Sequence, residues 1–515
     1  MQQEIEISLW PEETGNDSII KQKILSILQL HDSETIHYTL HKYSIDARSK
    51  HVKIRQRYQV WIGENPLPQE QVEPIFQNVS CAEPVHIVGA GPAGLFAALQ
   101  LIEKGKKPII IERGKDVKSR RRDIADLTKN HIVHPNSNYC FGEGGAGAYS
   151  DGKLYTRSDK RGDVKQVLHL LHFFGADKDI LVNAKAHIGT NKLPKVIENI
   201  RNFILSAGGE IHFSSRFDNF FIRDQQLIAI SVNQQRIETN RLILATGHSA
   251  RDVYDLLHNN KILMEAKPIA MGVRVEHPQM LIDQLQYHTP NRNPHLPPAY
   301  YSLSAQIDGR GVYSFCMCPG GIVAPCATAP GEIVTNGWSP SKRNNPLANS
   351  GIVVELTLQD IFEITKRNDA MATLSLQTQI EKNACVGGPN SQIAPAQRMD
   401  DFVHNRVSSN LPESSYLPGI SSASLSDILP VSITQKLQKA FFVFGQKMKG
   451  YYTHEALLIA PETRTSSPVR IPRNIDNFQH ISLSGLYPCG EGAGYAGGIV
   501  SAAIDGMRSA SYSAL

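Results

Sequence analysis

The chain has 515 residues, of which 41% are hydrophobic and 20% are charged, with 38 Gly and 29 Pro. This composition is typical of globular proteins and excludes wholesale disorder, a collagen-like repeat and a coiled coil. At roughly 150 residues per domain, the length favours about three domains. The formal charge of +4 at pH 7 is too close to neutral for a protein whose whole surface coats nucleic acid.

The pattern of apolar residues predicts a cytoplasmic protein. Residues 1–9 alternate polar and apolar side chains, so we expect no secretory signal. The longest apolar run, residues 87–102, is rich in Gly and shorter than the roughly 18 residues that a membrane span needs. The seven Cys are widely scattered and are expected to be reduced thiols.

Residues 1–80 predict a small α+β module with the element order β-α-β-β. Apolar residues at helical spacing follow Asp17 or Ser18, either of which can cap the helix. In the last strand, apolar side chains share one face and basic side chains, including Arg55 and Arg57, share the other. A linker-like stretch follows, which contains Pro66, Pro68, Pro74 and Pro84.

Residues 85–112 carry the sharpest motif in the chain. An apolar strand leads directly into G-x-G-x-x-G at Gly89, Gly91 and Gly94, then into a helix, and a second strand ends at Glu112. The first glycine allows a tight turn, the second lets a pyrophosphate approach the backbone, and the third lets the helix pack on the strand. The helix N-terminus offers free N–H groups to the diphosphate, and the acid can bind the adenosine ribose. The unit therefore predicts a dinucleotide site, without deciding between FAD and NAD.

Two distant segments favour FAD. Residues 241–247 form a buried strand that ends in A-T-G, and residues 485–499 form a strand, a Gly-rich turn and the start of a helix. With the first motif, and in this order, they resemble two-domain flavoproteins of the glutathione-reductase-like fold. That resemblance implies that Glu491 binds the ribityl chain and that Gly498 and Ile499 donate backbone N–H groups near the flavin ring. It also implies that Phe217, at the end of the strand after Gly208 and Gly209, lies near the adenine.

The chain resembles still more closely a bacterial group, the FAD-utilising dehydrogenase-like proteins. Residues 141–154, 315–321 and 463–468 carry this resemblance, which spans nearly the whole chain. It implies the fold and the cofactor, and says little about the substrate. The residues expected to contact FAD are Gly89, Gly91, Pro92, Ala93, Gly94, Glu112, Arg113, Gly144, Gly145, Phe217, Ala245, Thr246, Gly247, Gly490, Glu491, Gly498 and Ile499.

The expected fold is α/β: a Rossmann-like, glutathione-reductase-like FAD domain, an inserted and mostly β substrate domain, and the N-terminal module. We expect the module at 1–80, the two parts of the FAD domain at 84–265 and 466–515, and the substrate domain at 266–465. The sequence has no second G-x-G-x-x-G after a strand, no metal-ligand cluster and no C-x-x-C pair. NAD(P)H, if it is the donor, is therefore expected to enter the substrate cleft transiently.

Several residues near these motifs are candidates for chemistry. Residues 142–152 contain five glycines, whose N–H groups can bind a phosphate or the flavin. Cys316 and Cys318 are redox candidates or two small buried residues. Arg464 is a substrate clamp or a loop tie. His248 is a weak catalytic candidate, and the following S-x-x-D resembles a capping box that opens a helix.

The reading that fits these observations is an FAD-dependent oxidoreductase that transfers hydride through flavin N5 to or from a small molecule. Two alternatives stay open. The basic strand face and a basic run at residues 113–122, by default a solvated helix face, suggest a flavin-containing protein that binds RNA or another protein. The two cysteines of C-x-C suggest a thiol redox sensor. The sequence leaves the substrate and the oligomeric state open.

Overall fold

A computed structural model of the chain describes residues 1–66, 73–154 and 162–515. Pro68 of the predicted linker lies outside these residues. The described strands are β1 (Gln2–Leu9), β2 (Ile36–Asp46), β3 (Lys53–Ile62), β4 (Pro84–Val88), β5 (Lys107–Ile111), β6 (Glu210–His212), β7 (Phe217–Arg223), β8 (Gln226–Val232), β9 (Gln235–Glu238), β10 (Leu242–Leu244), β11 (Glu265–Ala266), β12 (Ile269–Pro278), β13 (Ser304–Ile307), β14 (Arg310–Cys318), β15 (Ile322–Pro325), β16 (Thr335–Trp338), β17 (Leu347–Leu356), β18 (Ala394–Arg398), β19 (Ile420–Ser422), β20 (Leu457–Glu462), β21 (Val469–Arg470) and β22 (Leu486–Pro488).

The described α-helices are α1 (Asp17–Leu28), α2 (Pro92–Glu103), α3 (Arg120–Lys129), α4 (Val164–Phe173), α5 (Leu193–Ser206), α6 (Arg251–Asn259), α7 (Gln279–Tyr287), α8 (Leu358–Thr365), α9 (Ala372–Asn383), α10 (Met399–Val403), α11 (Val431–Lys447) and α12 (Ile499–Ser513). Within the described residues, none of these helices combines the length and the apolar character that crossing a membrane requires.

The N-terminal residues fold in the predicted β-α-β-β order, as an antiparallel sheet with the strand order β1-β3-β2. Buried and exposed residues alternate along β3, as the sequence predicts. The apolar face of this sheet belongs to the same hydrophobic core as the large middle sheet, and the backbone of Tyr43 also pairs with residues 182 and 184. The module is therefore packed onto the rest of the chain.

A parallel sheet of five strands has the order β22-β10-β4-β5-β6. Side chains along these strands point alternately into two hydrophobic cores, because successive side chains of a strand lie on opposite faces of the sheet. Ile87 and Ile243 pack with helices α2, α4, α5 and α12, whereas Val88 and Leu244 pack against β7, β8 and α6. Apolar layers thus cover both faces of the sheet, as expected for parallel strands.

A seven-stranded sheet occupies the middle of the chain, with the order β13-β14-β17-β12-β20-β18-β19. Its strands pair antiparallel, except for β18 and β19. Helices α7 to α11 lie between these strands in the chain. The molecule therefore combines a mixed α/β fold around the parallel sheet with a second, sheet-rich part.

Three local predictions about element ends were wrong. Asn16 caps α1, because its side chain accepts a hydrogen bond from the Ile19 N–H. Ala250 is the N-cap residue of α6, and its side chain has no hydrogen-bonding group. The Asp252 carboxylate accepts a hydrogen bond from Arg113, and the predicted capping box is absent. Phe217 opens β7 and does not end the strand after Gly209, which stops at His212.

Helices α2 and α12 cross at very close range. A Cβ added at Gly506 would lie 2.0 Å from the Ala93 carbonyl oxygen, and that backbone atom cannot move aside as a side chain can. We expect Gly506→Ala to lower the free energy of unfolding by at least about 1 kcal/mol, because the overpacking cost exceeds the gain in helix propensity. Urea unfolding measures this change. Gly497→Ala is the control, because no atom would lie within 4 Å of the added Cβ. Equal free energies of unfolding for the two variants would contradict the close packing of α2 against α12.

Candidate functional site

The predicted cofactor segments meet at one edge of the parallel sheet. Val88 pairs with Ile111 on one side and with Leu244 on the other, and these neighbours pair in turn with His212 and Pro488. All five strands therefore end at the same level. Strands β5 and β6 lie on one side of β4, and β10 and β22 lie on the other. This reversal of strand order is the point where ligands bind in open α/β sheets.

The turn after β4 brings together glycines with two different roles. A Cβ at Gly89 would lie 2.4 Å from the Ala245 carbonyl oxygen, and one at Gly94 would lie 1.9 Å from the Gly89 carbonyl oxygen. These two glycines allow backbone segments to pack. At Gly91 the nearest atom would be Gly145 Cα at 3.9 Å, an ordinary van der Waals contact, so this position is not closely packed against the backbone. Helix α2 begins there, with Gly91 as N-cap and Pro92 as its first residue.

The carboxylate of Glu112 binds three backbone N–H groups. Its Oε2 accepts from Ala90 at 2.8 Å, and its Oε1 accepts from Gly114 at 2.8 Å and from Gly142 at 2.9 Å. The side chain is buried. Sequence reasoning assigned Glu112 a contact with the adenosine ribose and missed this role in holding three chain segments together. Oε2 keeps room for one further donor.

The A-T-G segment and the C-terminal segment lie side by side. The Cys489 N–H donates to the Leu244 carbonyl at 3.0 Å, and a Cβ at Gly492 would lie 2.5 Å from the Gly247 carbonyl oxygen. The Gly490 N–H donates to Asp505 at 2.8 Å, and Asp505 is also paired with Arg473. Asp505 and Arg473 carry no local sequence signal and were missed.

Residues 142–152 lie directly over the dinucleotide turn. The Gly144 N–H donates to the Ala90 carbonyl at 2.8 Å, and the Gly145 N–H donates to the Gly142 carbonyl at 2.9 Å. The prediction that these two glycines offer N–H groups to a phosphate or the flavin was wrong, because the protein itself uses both. They serve close packing instead: a Cβ at Gly145 would lie 3.2 Å from Gly91 Cα.

A buried arginine binds backbone carbonyls at the start of this loop and just before it. The Arg120 guanidinium donates to the backbone carbonyls of Asn138, Tyr139, Gly142 and Glu143. A solvated helix face was the default prediction for the basic run, and it is wrong for Arg120, which is fully buried. Lys118, Arg121 and Arg122 are exposed as expected. Only the tertiary contacts distinguish the buried cation from its exposed neighbours.

Free space continues along this edge of the sheet. No heavy atom would lie within 4 Å of a Cβ at Gly247, Gly497 or Gly498. The chain segments around these positions are in contact with one another. A Cβ at Gly490 would contact Ala93, and a Cβ at Gly147 would contact both Pro92 and Ile499. Gly247, Gly497 and Gly498 thus have open space on their Cβ side, next to backbone segments that contact one another.

Comparisons with known proteins agree with this geometry. Residues 82–137 match an FAD binding domain, residues 268–465 match the family "FAD-dependent protein, C-terminal domain-like", and residues 1–61 match a domain of unknown function (DUF8436). An uncharacterized protein of Clostridium beijerinckii is 39% identical over 515 residues, covering 96% of this chain and 95% of that protein. The chain belongs to this family of FAD-dependent proteins. It is a flavin oxidoreductase with FAD as its cofactor.

Solved structures of similar proteins are more distant. CtdE in complex with FAD is 11% identical, with coverage of 83% of this chain and 82% of that chain and a TM-score of 0.30. A geranylgeranyl bacteriochlorophyll reductase-like protein from Thermoplasma acidophilum is 12% identical, with coverage of 84% and 78% and a TM-score of 0.33.

The remaining predicted contacts of this flavoprotein lie at the two ends of the cleft. Arg113 donates to Asp252 and Asn136 and lies over the Phe141 ring, with 4.3 Å between the guanidinium carbon and the ring centroid. Phe217 is buried in the core that also contains Ile111. Both therefore lie near Glu112, at the end predicted to hold the adenosine.

His248 and Glu491 face each other at the other end. His248 Nε2 lies 3.6 Å from Glu491 Oε2, and its buried Nδ1 has no hydrogen-bond partner in the described part of the chain. Burial lowers the pKa of His248, and the carboxylate of Glu491 opposes this shift. The imidazole is therefore neutral at pH 7, with an unused Nδ1.

Arg464 is enclosed in a buried charge network. Its guanidinium donates to Glu381 at 2.9 Å and to the Thr328 hydroxyl at 3.0 Å, and it lies 3.4 Å from Glu332. Arg251 of α6 pairs with the same two carboxylates. Burial by itself would raise the pKa of Glu381, but the two guanidinium groups bring it down to about 2. The substrate-clamp alternative for Arg464 was therefore wrong, and Arg464 ties loops together.

One acidic cluster was not anticipated. Ligand atoms of Asp123, Asp126 and His134 all lie within 4.8 Å of one another. Lys115 pairs with Asp123 at 2.7 Å and His134 pairs with Asp126 at 3.1 Å. These pairs account for the cluster without a metal ion.

Replacement of Glu112 tests whether its three hydrogen bonds to backbone N–H groups support FAD binding. We expect Glu112→Ala to leave three N–H groups without their acceptor and to weaken FAD binding by about tenfold or more, since hydrogen bonds to a charged group contribute roughly 1.5–3 kcal/mol each. Flavin content after purification and the Kd of FAD for the apoprotein measure this effect. Glu83→Ala, an exposed glutamate just before β4, is the matched control. Unchanged FAD affinity in Glu112→Ala would contradict both the predicted contact with the ribose and the support of the cofactor turn by the three hydrogen bonds.

Replacement of Arg464 separates a structural role from substrate binding. We expect Arg464→Met to lower the free energy of unfolding by about 3–5 kcal/mol, because it leaves buried carboxylates without a counter-charge. Adding Glu381→Gln to this variant should recover part of the loss. Unaltered urea unfolding of Arg464→Met together with a selective rise in KM would instead support the hypothesis that Arg464 binds the substrate.

Proposed function

We propose that the protein has glutathione-reductase-like topology and transfers hydride between FAD and a small organic molecule. The observation that carries this proposal is the common end of five parallel strands, where the glycine turn, Glu112, the A-T-G segment and the C-terminal segment meet. The proposal includes the boundaries 1–80 for the module, 84–265 and 466–515 for the FAD domain and 266–465 for the substrate domain, and a cytoplasmic location.

The cleft orients the cofactor from one end to the other. Glu112, Arg113 and Phe217 would hold the adenosine, and the first turn of α2 would hold the pyrophosphate through its free N–H groups. Glu491 would bind the ribityl chain, and the N-terminus of α12, at Gly498, would face the flavin ring. FAD, when bound, would supply the hydride-transferring N5 position.

His248 is the protein group best placed to handle a proton at this end of the cleft. The carboxylate of Glu491 faces Nε2, which favours the tautomer with the proton on that nitrogen. Nδ1 is then an acceptor, and a neutral imidazole can take a proton or a hydroxyl hydrogen bond there. This assignment makes His248 a positioning or proton-accepting residue, with Glu491 orienting its ring.

The proposed electron donor is NADH or NADPH, which would enter the substrate cleft transiently. The sequence contains G-x-G-x-x-G at residues 89–94, 142–147 and 492–497, of which only the first comes directly after a strand. In the arrangement proposed above, FAD occupies the first and third of these segments. A nicotinamide nucleotide therefore has no dedicated domain of the same kind. The seven-stranded sheet would cover the flavin ring and shape the substrate site.

The RNA-binding alternative rested on the basic face of β3. In the structure Arg55 pairs with Glu6 and Asp46, and Arg57 pairs with Glu4 and Glu6. These acidic partners come from the neighbouring strands and neutralise much of the face. No specific contact in the described residues favours this alternative over the oxidoreductase.

Anaerobic mixing of the FAD-loaded protein with NADH and with NADPH tests the proposal. We expect one nucleotide to bleach the visible flavin absorption at a saturable rate, and deuterium at the transferred position to slow bleaching, since hydride transfer breaks that C–H bond. Dithionite, which reduces any accessible flavin, is the positive control. Bleaching by dithionite but by neither nucleotide would overturn the NAD(P)H donor and direct the search to an organic substrate.

A further inference from the structure

A pair of thiols meets a single ammonium group next to the glycine-rich loop. Cys316 and Cys318 lie at the end of β14, and Lys153 follows residues 142–152 in the chain. The Lys153 Nζ lies 3.4 Å from the Cys316 sulfur and 3.6 Å from the Cys318 sulfur. Both thiols therefore approach the same ammonium group.

The backbone at this pair is held in an unusual conformation. Pairing with β17 shifts between Phe315 and Cys318, which marks a bulge, and Cys316 has φ +46°. A residue with a side chain rarely adopts this left-handed conformation, and such strain occurs often at functional sites. Arg274 donates to the Cys316 carbonyl at 3.0 Å, and the Cys318 thiol lies 3.3 Å from the same oxygen. The bulge is thus fixed by contacts from both directions.

The charged groups around the pair distinguish the two sulfurs. Lys153 and Arg274 are the cations that face the pair, and Asp151 and Glu462 are the anions. Asp151 pairs with Arg343 at 2.9 Å and also lies 3.7 Å from the Lys153 ammonium. The hydrogen bond from Cys318, with the Lys153 ammonium, holds the pKa of the Cys316 thiol well below its usual range, whereas the same hydrogen bond and burial raise the pKa of Cys318.

Cys316 is therefore the thiol of the pair that loses its proton more readily, and Cys318 is the one that keeps it. Cys316 is partly exposed and Cys318 is buried. A thiolate with access to solvent is the attacking group in thiol–disulfide exchange, and a second thiol beside it resolves the mixed disulfide.

We propose that Cys316 and Cys318 form a dithiol–disulfide centre that is oxidised by low-molecular-weight disulfides. The Cys316 thiolate attacks one sulfur of the disulfide, a new S–S bond forms, and one thiolate leaves. Cys318 gives its proton to that thiolate and attacks the Cys316 sulfur, which releases the second thiolate to take a proton from water. The two cysteines lose two electrons and the small disulfide gains two. This centre goes beyond the proposed hydride transfer and does not depend on it.

Glutathione disulfide added to the reduced, FAD-loaded full chain tests this centre. We expect peptide mass mapping to find a Cys316–Cys318 disulfide in the parent protein. In Cys318→Ser, which lacks the resolving thiol, a glutathionyl group should accumulate on Cys316. In Cys316→Ser, Cys318 should stay unmodified. Cys81→Ser removes an exposed thiol elsewhere and is the control, which should leave formation of the disulfide unchanged.

Lys153→Gln tests the part played by the ammonium. We expect the pH profile of Cys316 alkylation by iodoacetamide to shift upward by about one pKa unit, which slows the reaction about tenfold at pH values below the pKa, where the thiolate fraction limits the rate. Lys192→Gln, an exposed lysine elsewhere, should have no effect.

Two results would overturn the proposal: no Cys316–Cys318 disulfide in the parent protein, or Cys316 reacting no faster than the exposed Cys81. Flavin content and circular dichroism verify that each variant is folded. Should a cysteine variant fail to fold, the rates of alkylation of Cys316 and Cys81 in the parent protein between pH 5 and about 9 still decide, since a thiolate of low pKa keeps reacting in the acidic part of that range.

Discussion

The cofactor site depends on one buried carboxylate. Glu112 accepts hydrogen bonds from the turn after β4, from the chain after β5 and from the start of the glycine-rich loop. A buried anion without partners is costly, so these three N–H groups and the carboxylate hold each other in place. The glycine turn keeps its shape because the same carboxylate also fixes the loop that lies over it. The edge of the sheet proposed to bind FAD is thus shaped by an interaction within the protein as well as by the glycine motif.

Buried arginines perform the corresponding task around the site. Arg120 donates to two carbonyls just before the glycine-rich loop and to two carbonyls within it. Arg464 and Arg251 neutralise Glu332 and Glu381. Arg251 belongs to α6, beside the parallel sheet, whereas Arg464 follows β20 of the seven-stranded sheet. This network therefore joins the two parts of the molecule between which the flavin ring is proposed to lie. The cost of desolvating such charges is offset only when every partner is present, which makes their relative positions specific.

Local sequence predicted the elements whose shape is decided locally. The strand, turn and helix around Gly89 and Gly94 have the predicted form, because the need for glycine arises from atoms a few residues away or on the next strand. The caps of α1 and α6 were wrong, since a neighbouring Asn and a distant Arg competed for the roles that spacing alone assigned. The role of Gly144 was wrong for a similar reason. Its N–H is used by the Ala90 carbonyl, a contact that only the folded chain creates.

The sequence by itself determined that this protein has a dinucleotide-binding α/β fold with three segments that belong to one cofactor site. It did so because glycine spacing, apolar runs and a terminal acid are each required by backbone geometry within a short stretch of chain. Tertiary structure decided which charged groups hold the fold and which thiol groups lie beside a cation. Arg464 became a buried tie, and Cys316 and Cys318 came to face Lys153, more than 160 residues earlier in the chain. Those roles depend on burial and on partners far away in sequence, and burial and partner distance set the charge, the pKa and the availability of a side chain.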